Sequence, residues 1–237
     1  ATRPPWKKKA GSKLFPGGAL QHFDQTQSVS VLGEKVSTPP TAIPNVTDII
    51  DKKISIIIPT KNAGSDFPFL MKILRLQEGF REIEIVVVDS GSTDDTVKVA
   101  ESYHAVVVKI DPSEFSHSYA RNLGAEHATG DYLLFTVQDA LPPNSAWLYE
   151  LFQVLKNQDV VAVSCAETPR EDADLFYRQI CWNHYNFLGI NDGDRIFSLP
   201  DKLDNISLRQ NAQLSDLANL ISRDVFNKYH YRLGYAE

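Results

Sequence analysis

Four short apolar runs, each closed abruptly by polar or acidic residues, constrain this chain most. They are Ile54-Ser-Ile-Ile-Ile-Pro, Ile83-Glu-Ile-Val-Val-Val-Asp, Ala105 to Ile110 and Tyr132 to Val137. Short, β-branched, continuously apolar runs are strands buried on both faces, as parallel sheets require. Helical patterns fill the gaps. Ser65 or Asp66 can cap a helix running to about Gly79, with Phe69, Leu70, Ile73, Leu74 and Leu76 as its apolar face. Thr93 or Asp94 can cap a second helix through Val97, Ala100 and Tyr103. Ser116 or Ser118 can start a third, with Ala120, Leu123, Gly124 and Ala128 inward. Strand alternating with helix at this spacing predicts an α/β fold, a mostly parallel sheet flanked by helices.

In such sheets, ligands bind at the carboxyl ends of the strands. Thr60 to Ala63 and Asp89 to Asp94 should therefore converge on one edge. Asp89 can accept hydrogen bonds from ribose hydroxyls or a pyrimidine imide; the plain alternative is a turn acid. Asp94 also suits an N-cap. Arg121 stands at a helix start near the same edge, where its fork suits phosphate or a base carbonyl. His117 can donate to phosphate or sugar, or bond locally.

The fourth run ends in Gln138-Asp139-Ala140 and then Pro142-Pro143. One carboxylate there can hold a hard divalent cation, which in turn clamps a diphosphate. The alternative is a residue that merely turns the chain.

Downstream, Asn144 can cap a helix over Ser145 to Asn157, with Trp147, Leu148, Leu151, Phe152 and Leu155 inward. Asp159 to Cys165 reads as a further strand. Phe176, Tyr177, Trp182, Tyr185 and Phe187 recur at near-helical spacing and predict a packing face, while Arg170, Arg178 and His184 could face a sugar acceptor. Residues 189–205 read as a loop able to cover the site. Asn219 to Ser222 is a candidate strand and Arg223-Asp-Val-Phe a helix start.

Residues 1–51 read as an extended arm or linker, with Pro4, Pro5, Pro16, Pro39, Pro40 and Pro44 and no sustained period. Lys7 to Lys9 is a solvated basic run, and Val29 to Leu32 can pair locally. The absence of an initiator Met suggests an excised or processed chain. The net charge of −6 disfavours nucleic acid and anionic membranes as bulk partners. Cys165 and Cys181 have no metal-type spacing and form no disulfide framework, which fits a reducing compartment. No apolar run approaches the ~18 residues of a membrane span. A cytoplasmic protein is expected, free or peripheral at the inner face of the membrane.

Four segments, in order and spacing, carry a family resemblance: Ile57-Ile-Pro-Thr-Lys-Asn, Val87-Val-Asp-Ser-Gly-Ser-Thr-Asp-Asp-Thr, Ala120-Arg-Asn-Leu-Gly and Leu134-Phe-Thr-Val-Gln-Asp-Ala. They resemble the inverting GT-A glycosyltransferases of family 2, over residues 52–237. The resemblance implies a GT-A nucleotide-binding sheet with a mixed edge and a nucleoside-diphosphate sugar donor. Carried over by position, Thr60 and Asn62 line the nucleotide pocket. Asp89 contacts a uracil or thymine base, and Asp94 and Arg121 lie near base and diphosphate. Most members carry Asp-x-Asp after the fourth strand. Here Gln138 is neutral and Asp139 takes the place of the metal-facing carboxylate, so Mg²⁺ or Mn²⁺ would rest largely on the diphosphate. Gln-Asp-Ala with the His117 and Arg121-Asn122 context is similar to the bacterial rhamnosyltransferase subgroup. That implies dTDP-L-rhamnose as donor and a growing surface glycan, free or lipid-linked, as acceptor. The family's acidic pair, whose carboxylate is the general base, matches Gly234-Tyr-Ala-Glu237, making Glu237 the expected catalytic carboxylate and the domain cut short at its C-terminal end.

The rival readings fare less well. A sugar nucleotidyltransferase needs a Gly-rich basic phosphate loop, which Lys61-Asn-Ala-Gly does not supply. A dinucleotide oxidoreductase needs Gly-x-Gly-x-x-Gly after its first strand, and none is present. Other expectations left open are a UDP- or GDP-sugar donor and a donor-binding module without turnover.

Overall fold

A computed structural model describes residues 30–31, 34–35, 46, 48–170, 172–190, 193–198, 200–211, 214–215 and 217–233. The chain divides into two compact units, Ala1–Ala42 and Ile43–Glu237. In the first, β1 (Ser30–Val31) pairs antiparallel with β2 (Glu34–Lys35). The basic run Lys7 to Lys9 and the expected catalytic Glu237 lie outside the described residues.

The second unit is built on a six-stranded sheet. Its strands are β3 (Ile50–Thr60), β4 (Phe80–Asp89), β5 (Val106–Lys109), β6 (Tyr132–Thr136), β7 (Ala162–Ser164) and β8 (Ala218–Ser222). The order across the sheet is β5-β4-β3-β6-β8-β7. β5, β4, β3 and β6 are parallel, and β8 runs antiparallel to both β6 and β7. The mostly parallel sheet with a mixed edge is as expected.

Alternation along β3 sorts the core into layers. Ile54, Ile56 and Ile58 face α1 (Phe67–Arg75), α2 (Thr96–Ser102) and α4 (Trp147–Asn157) through a cluster with Leu70, Leu74, Leu148 and Phe152. Ile57 points the other way, into a second cluster with α3 (His117–His127) and α7 (Arg223–Lys228). The buried stretches Ile56–Ile58, Ile85–Val88 and Tyr132–Phe135 are therefore apolar at successive positions because both faces are covered.

Several element boundaries moved. α1 stops at Arg75, short of Gly79, and Asp66 at its start makes no side-chain cap. α2 opens after Asp95, while Asp94 folds the turn before it. α4 starts at Trp147, where Asn144 Oδ1 accepts from the Ala146 N–H, and its five predicted inward residues are all buried. β7 is three residues long. α6 (Asn205–Asn211) was not foreseen.

The predicted aromatic packing face forms only in part. In α5 (Leu175–Leu188), Phe176 is 77% exposed, Tyr177 41% and Phe187 37%, while Trp182 and Tyr185 are half-buried. The buried residues of the helix are Cys181 and Leu188. Two hydroxyls meet Glu167 beside them: Tyr177 donates to its carboxylate, and Tyr185 accepts from its N–H.

Gly124 shows how closely α3 lies on the sheet. A Cβ there would sit 2.5 Å from Ile57 Cγ2 and 3.0 Å from Val88 Cγ2. Gly124→Val should therefore destabilise the domain by about 2–3 kcal/mol through overpacking. Denaturant unfolding checks this as a lowered midpoint with an unchanged slope.

Candidate nucleotide and metal site

β3 and β4 end side by side, with Thr60 in register with Asp89. Both are 2% exposed, and the Thr60 hydroxyl donates to Asp89 Oδ1 across 3.2 Å. Burying a carboxylate requires donors. Asp89 has four: Thr60 Oγ1, Ser92 Oγ at 2.5 Å, and the N–H groups of Gly91 at 3.1 Å and Ser92 at 2.9 Å. These match the lone-pair capacity of a carboxylate. The turn needs Gly91, at φ +88°, where a Cβ would also meet Pro112 Cγ at 2.7 Å.

The two strand-end loops are then stitched residue by residue. The Asn62 N–H donates to Ser92 Oγ at 2.8 Å, and Asn62 Oδ1 accepts from the Thr93 N–H at 2.8 Å. Asn62 adopts φ +47°, a left-handed conformation that asparagine tolerates. The Ala63 N–H donates to Thr96 Oγ1 at 2.8 Å, and the Gly64 N–H to Asp94 Oδ2 at 3.2 Å. Asp94 Oδ1 in turn accepts from the Thr96 hydroxyl and N–H. These bonds, the Thr96 hydroxyl foremost, hold the Asp94 carboxyl below the usual carboxylate range.

The third loop explains the neutral residue before Asp139. Gln138 Oε1 accepts from the Lys61 N–H at 2.8 Å, and Gln138 Nε2 donates to the Lys61 carbonyl at 3.3 Å. An amide can pair with both ends of a residue's backbone, whereas a carboxylate offers only acceptors. Gln138 is thus turned toward the β3 loop. Asp139, on the same strand-end loop, is exposed and lines a cavity of about 1050 Å³ with Gly64, Asp66, Thr136, Arg170 and Tyr177. Among the described residues no group of three or more His, Cys, Asp or Glu side chains could hold a metal. An exposed carboxylate such as Asp139 fits a hard cation that takes its remaining ligands from water and substrate phosphate.

The structure brings Thr60, Asn62, Asp89, Asp94 and Gln138 into one network, with Asp139 beside it. Two predicted residues stand on α3 instead. His117 is exposed, edge-on to Phe115 with ring centroids 5.0 Å apart. Arg121 is 5% exposed, its guanidinium 5.5 Å from the centre of the Tyr231 ring. Next to it, Asn122 pairs with the Tyr231 backbone, accepting its N–H at 3.0 Å and donating to its carbonyl at 2.8 Å. Sequence reasoning gave no role to Tyr231 or to the Ser92 and Thr96 hydroxyls, and named Asn122 only within a motif; Arg170, weighed there as an acceptor contact, lines the cavity. A Ser/Thr run around Asp89 and Asp94 was the available signal for the hydroxyls. The Asn122 pairing spans 109 residues and left no local trace.

Both cysteines are free, and burial raises both thiols, so neither is poised as a thiolate nucleophile. No described helix is long and apolar enough to cross a membrane.

Comparison with known proteins decides the family. Residues 55–213 match the family described as Glycosyl transferase family 2. The chain belongs to glycosyl transferase family 2. Among its curated relatives, the family 2 domain is 33% identical over 124 residues to the O-antigen chain rhamnosyltransferase RfbN of Salmonella typhimurium, covering 52% of this chain and 39% of that protein. It is 32% identical over 129 residues to the O-antigen chain rhamnosyltransferase WbaN of Salmonella anatum, covering 51% and 38%. The chain thus spans about two fifths of the length of these relatives. Among solved structures, mannosyltransferase PcManGT from Pyrobaculum calidifontis, in complex with GDP-Man and Mn²⁺, is similar with a TM-score of 0.54 and 22% identity, covering 78% of this chain and 48% of that one. TarS residues 1–349 of Staphylococcus aureus give 0.52 and 19%, covering 74% and 48%. The fold of the family 2 domain is that of the GT-A glycosyltransferases.

Two predictions follow from this geometry. Gln138→Glu keeps an acceptor for Lys61 but loses the donor to its carbonyl. It should cost about 1 kcal/mol, read by denaturant unfolding, and should speed hydrogen exchange at the Lys61 amide. For Asp94, the folded carboxyl lies below the ordinary value near ~3.9. Its contribution is therefore complete above that value and is lost only as pH falls through the lower, folded one. The Gly64 and Thr96 amide resonances should hold their positions down to about pH 4, and Asp94→Asn should abolish the acid transition below it.

Proposed function

We propose that this family 2 domain binds a nucleoside-diphosphate sugar at the stitched strand-end loops. It transfers the sugar, with inversion, to an acceptor hydroxyl in the adjoining cavity. The observation that carries the reading is the joining of three strand-end loops beside an exposed carboxylate, Asp139, that lines that cavity. Similarity to two O-antigen chain rhamnosyltransferases supports L-rhamnose from dTDP-L-rhamnose as the donor and a bacterial surface glycan as the acceptor. A UDP- or GDP-sugar donor is the second reading, since PcManGT was solved with GDP-Man.

In this reading Thr60 and Asn62 frame the nucleotide. Asp89 and Asp94 fix the loop that presents backbone groups to the base, and Arg121 acts behind that loop from α3. Asp139 would hold Mg²⁺ or Mn²⁺, and such an ion would supply Lewis-acid stabilisation of the departing diphosphate. The chain's own contribution is preorganisation. Donors and carboxylates already fixed by hydrogen bonds need no reordering when charge develops on the leaving group. Glu237, by family resemblance, is the proposed proton acceptor for the incoming hydroxyl. Action at the cytoplasmic face of a membrane, on a lipid-linked glycan, belongs to the same proposal.

Thermal unfolding with dTDP, UDP, GDP and their sugars, with and without Mn²⁺, tests it. A ligand at ~100 times its dissociation constant stabilises the fold by about 2.7 kcal/mol. A metal-dependent shift with dTDP or dTDP-rhamnose is expected, reduced in Asp139→Asn. A shift with UDP-sugars alone would discard rhamnose but keep the reaction. No shift with any nucleotide would contradict donor binding.

A further inference from the structure

The strand order brings one more connection to the edge where Asp139 lies. β8 pairs antiparallel with both β6 and β7, so β7 runs parallel to β6. Residues 165–168, which follow β7, therefore leave the sheet at the same edge as Asp139. β8 stands between the two strands, which puts them about 10 Å apart, with β7 on the side away from β4. A donor whose base lies over the β4 end and whose diphosphate reaches Asp139 thus points its sugar toward the β7 end. There α5 holds Glu167 at two points. Glu167 Oε1 accepts from the Tyr177 hydroxyl, and the Glu167 N–H donates to the Tyr185 hydroxyl at 2.7 Å. Tyr177 is anchored in turn at the helix start, where its N–H donates to the Asp174 carboxylate at 2.8 Å. Glu167 and Tyr177 line the same cavity as Asp139. The bond to Glu167 pushes the Tyr177 phenol up, so it keeps its proton.

We propose that Glu167 and Tyr177 bind hydroxyls of the acceptor sugar, and that this sugar is uncharged. The proposal rests on the reading of the cavity as the acceptor site. A carboxylate accepts about four hydrogen bonds, and Tyr177 supplies one of them, at Oε1. The phenol that donates it keeps its own lone pairs as acceptors. The pair therefore offers acceptors and suits a ligand that donates, as sugar hydroxyls do. A sugar bearing a carboxylate or phosphate would set acceptor against acceptor and like charge against like charge. The rest of the lining adds to that bias. Asp66, Asp139, Asp172 and Asp174 also line the cavity, and its one cation among the described residues, Arg170, is paired with Asp66 at 2.5 Å. A sugar-linked diphosphate arriving with a divalent cation leaves this balance unchanged, because their charges cancel. Tyr177 and Tyr185 also fix Glu167 before any ligand arrives, so little side-chain freedom is lost on binding.

Saturation-transfer NMR reads this without turnover, on protein held with Mn²⁺ and whichever of UDP, dTDP and GDP it binds. The probes are the methyl glycosides of galactose, glucose and mannose and those of the matching uronic acids, on wild type, Glu167→Gln and Tyr177→Phe. Wild type should bind at least one neutral glycoside, about tenfold more tightly than its uronate. Glu167→Gln should weaken that neutral glycoside about tenfold but its uronate only about threefold, so the gap narrows. Tyr177→Phe should weaken the neutral glycoside about threefold and leave nucleotide affinity unchanged. A merely structural role for the pair would weaken both glycosides alike and leave the gap as it was, which would overturn the proposal. Uronates held by wild type as tightly as their neutral counterparts would also overturn it, and so would no binding of any neutral glycoside. Failure of wild type to bind any of the three nucleotides would instead overturn donor binding itself, and it would show before any glycoside was added.

Discussion

The hydroxyl of Thr60 against the carboxylate of Asp89, at the ends of two parallel strands in register, is the contact on which the site depends. A carboxylate that is 2% exposed is stable only if its lone pairs are filled. Filling them pulls Gly91 and Ser92 into a tight turn. That turn presents Ser92 and Thr93 to Asn62 and aligns Asp94 and Thr96 with Ala63 and Gly64. One buried charge thus organises a surface loop and joins it to its neighbour. The same requirement explains why the site residues are polar but mostly engaged: they build the cradle before they meet any ligand.

The sheet and the edge at which its parallel strands end were legible in the sequence because double-sided burial leaves a plain mark. Ile56 to Ile58, Val86 to Val88 and Leu133 to Phe135 are apolar at successive positions, as parallel central strands need. Asp89 and Asp139 could be placed at the strand ends for the same reason. The rotation of α5 was not legible. Its aromatics lie on several faces, and the two residues that are buried, Cys181 and Leu188, are not aromatic. Pairings such as Gln138 with Lys61 or Asn122 with Tyr231 escaped notice for a related reason. Amide-to-backbone bonds over 77 and 109 residues depend on the folded positions of two segments, and no local pattern encodes them.

The Gln-Asp-Ala segment shows how one substitution redistributes roles. A carboxylate at position 138 could not pair with both the N–H and the carbonyl of Lys61. With Gln there, the β6 loop is tied to the β3 loop, and in the proposed reading Asp139 is the carboxylate of that loop that would meet a metal. One carboxylate has little hold on a free cation, so in that reading charge brought by the nucleotide would decide when the cation binds.

The central claim is that the stitched loops are a preformed nucleotide site. A crystal structure with dTDP or UDP and Mn²⁺ tests it most directly. The account predicts the base and diphosphate lying along residues 60–64 and 89–96, the ion on Asp139, and loop backbone shifts under ~1 Å, as in other preorganised sites. A nucleotide bound elsewhere, or loops that must part their mutual hydrogen bonds to admit it, would contradict the account.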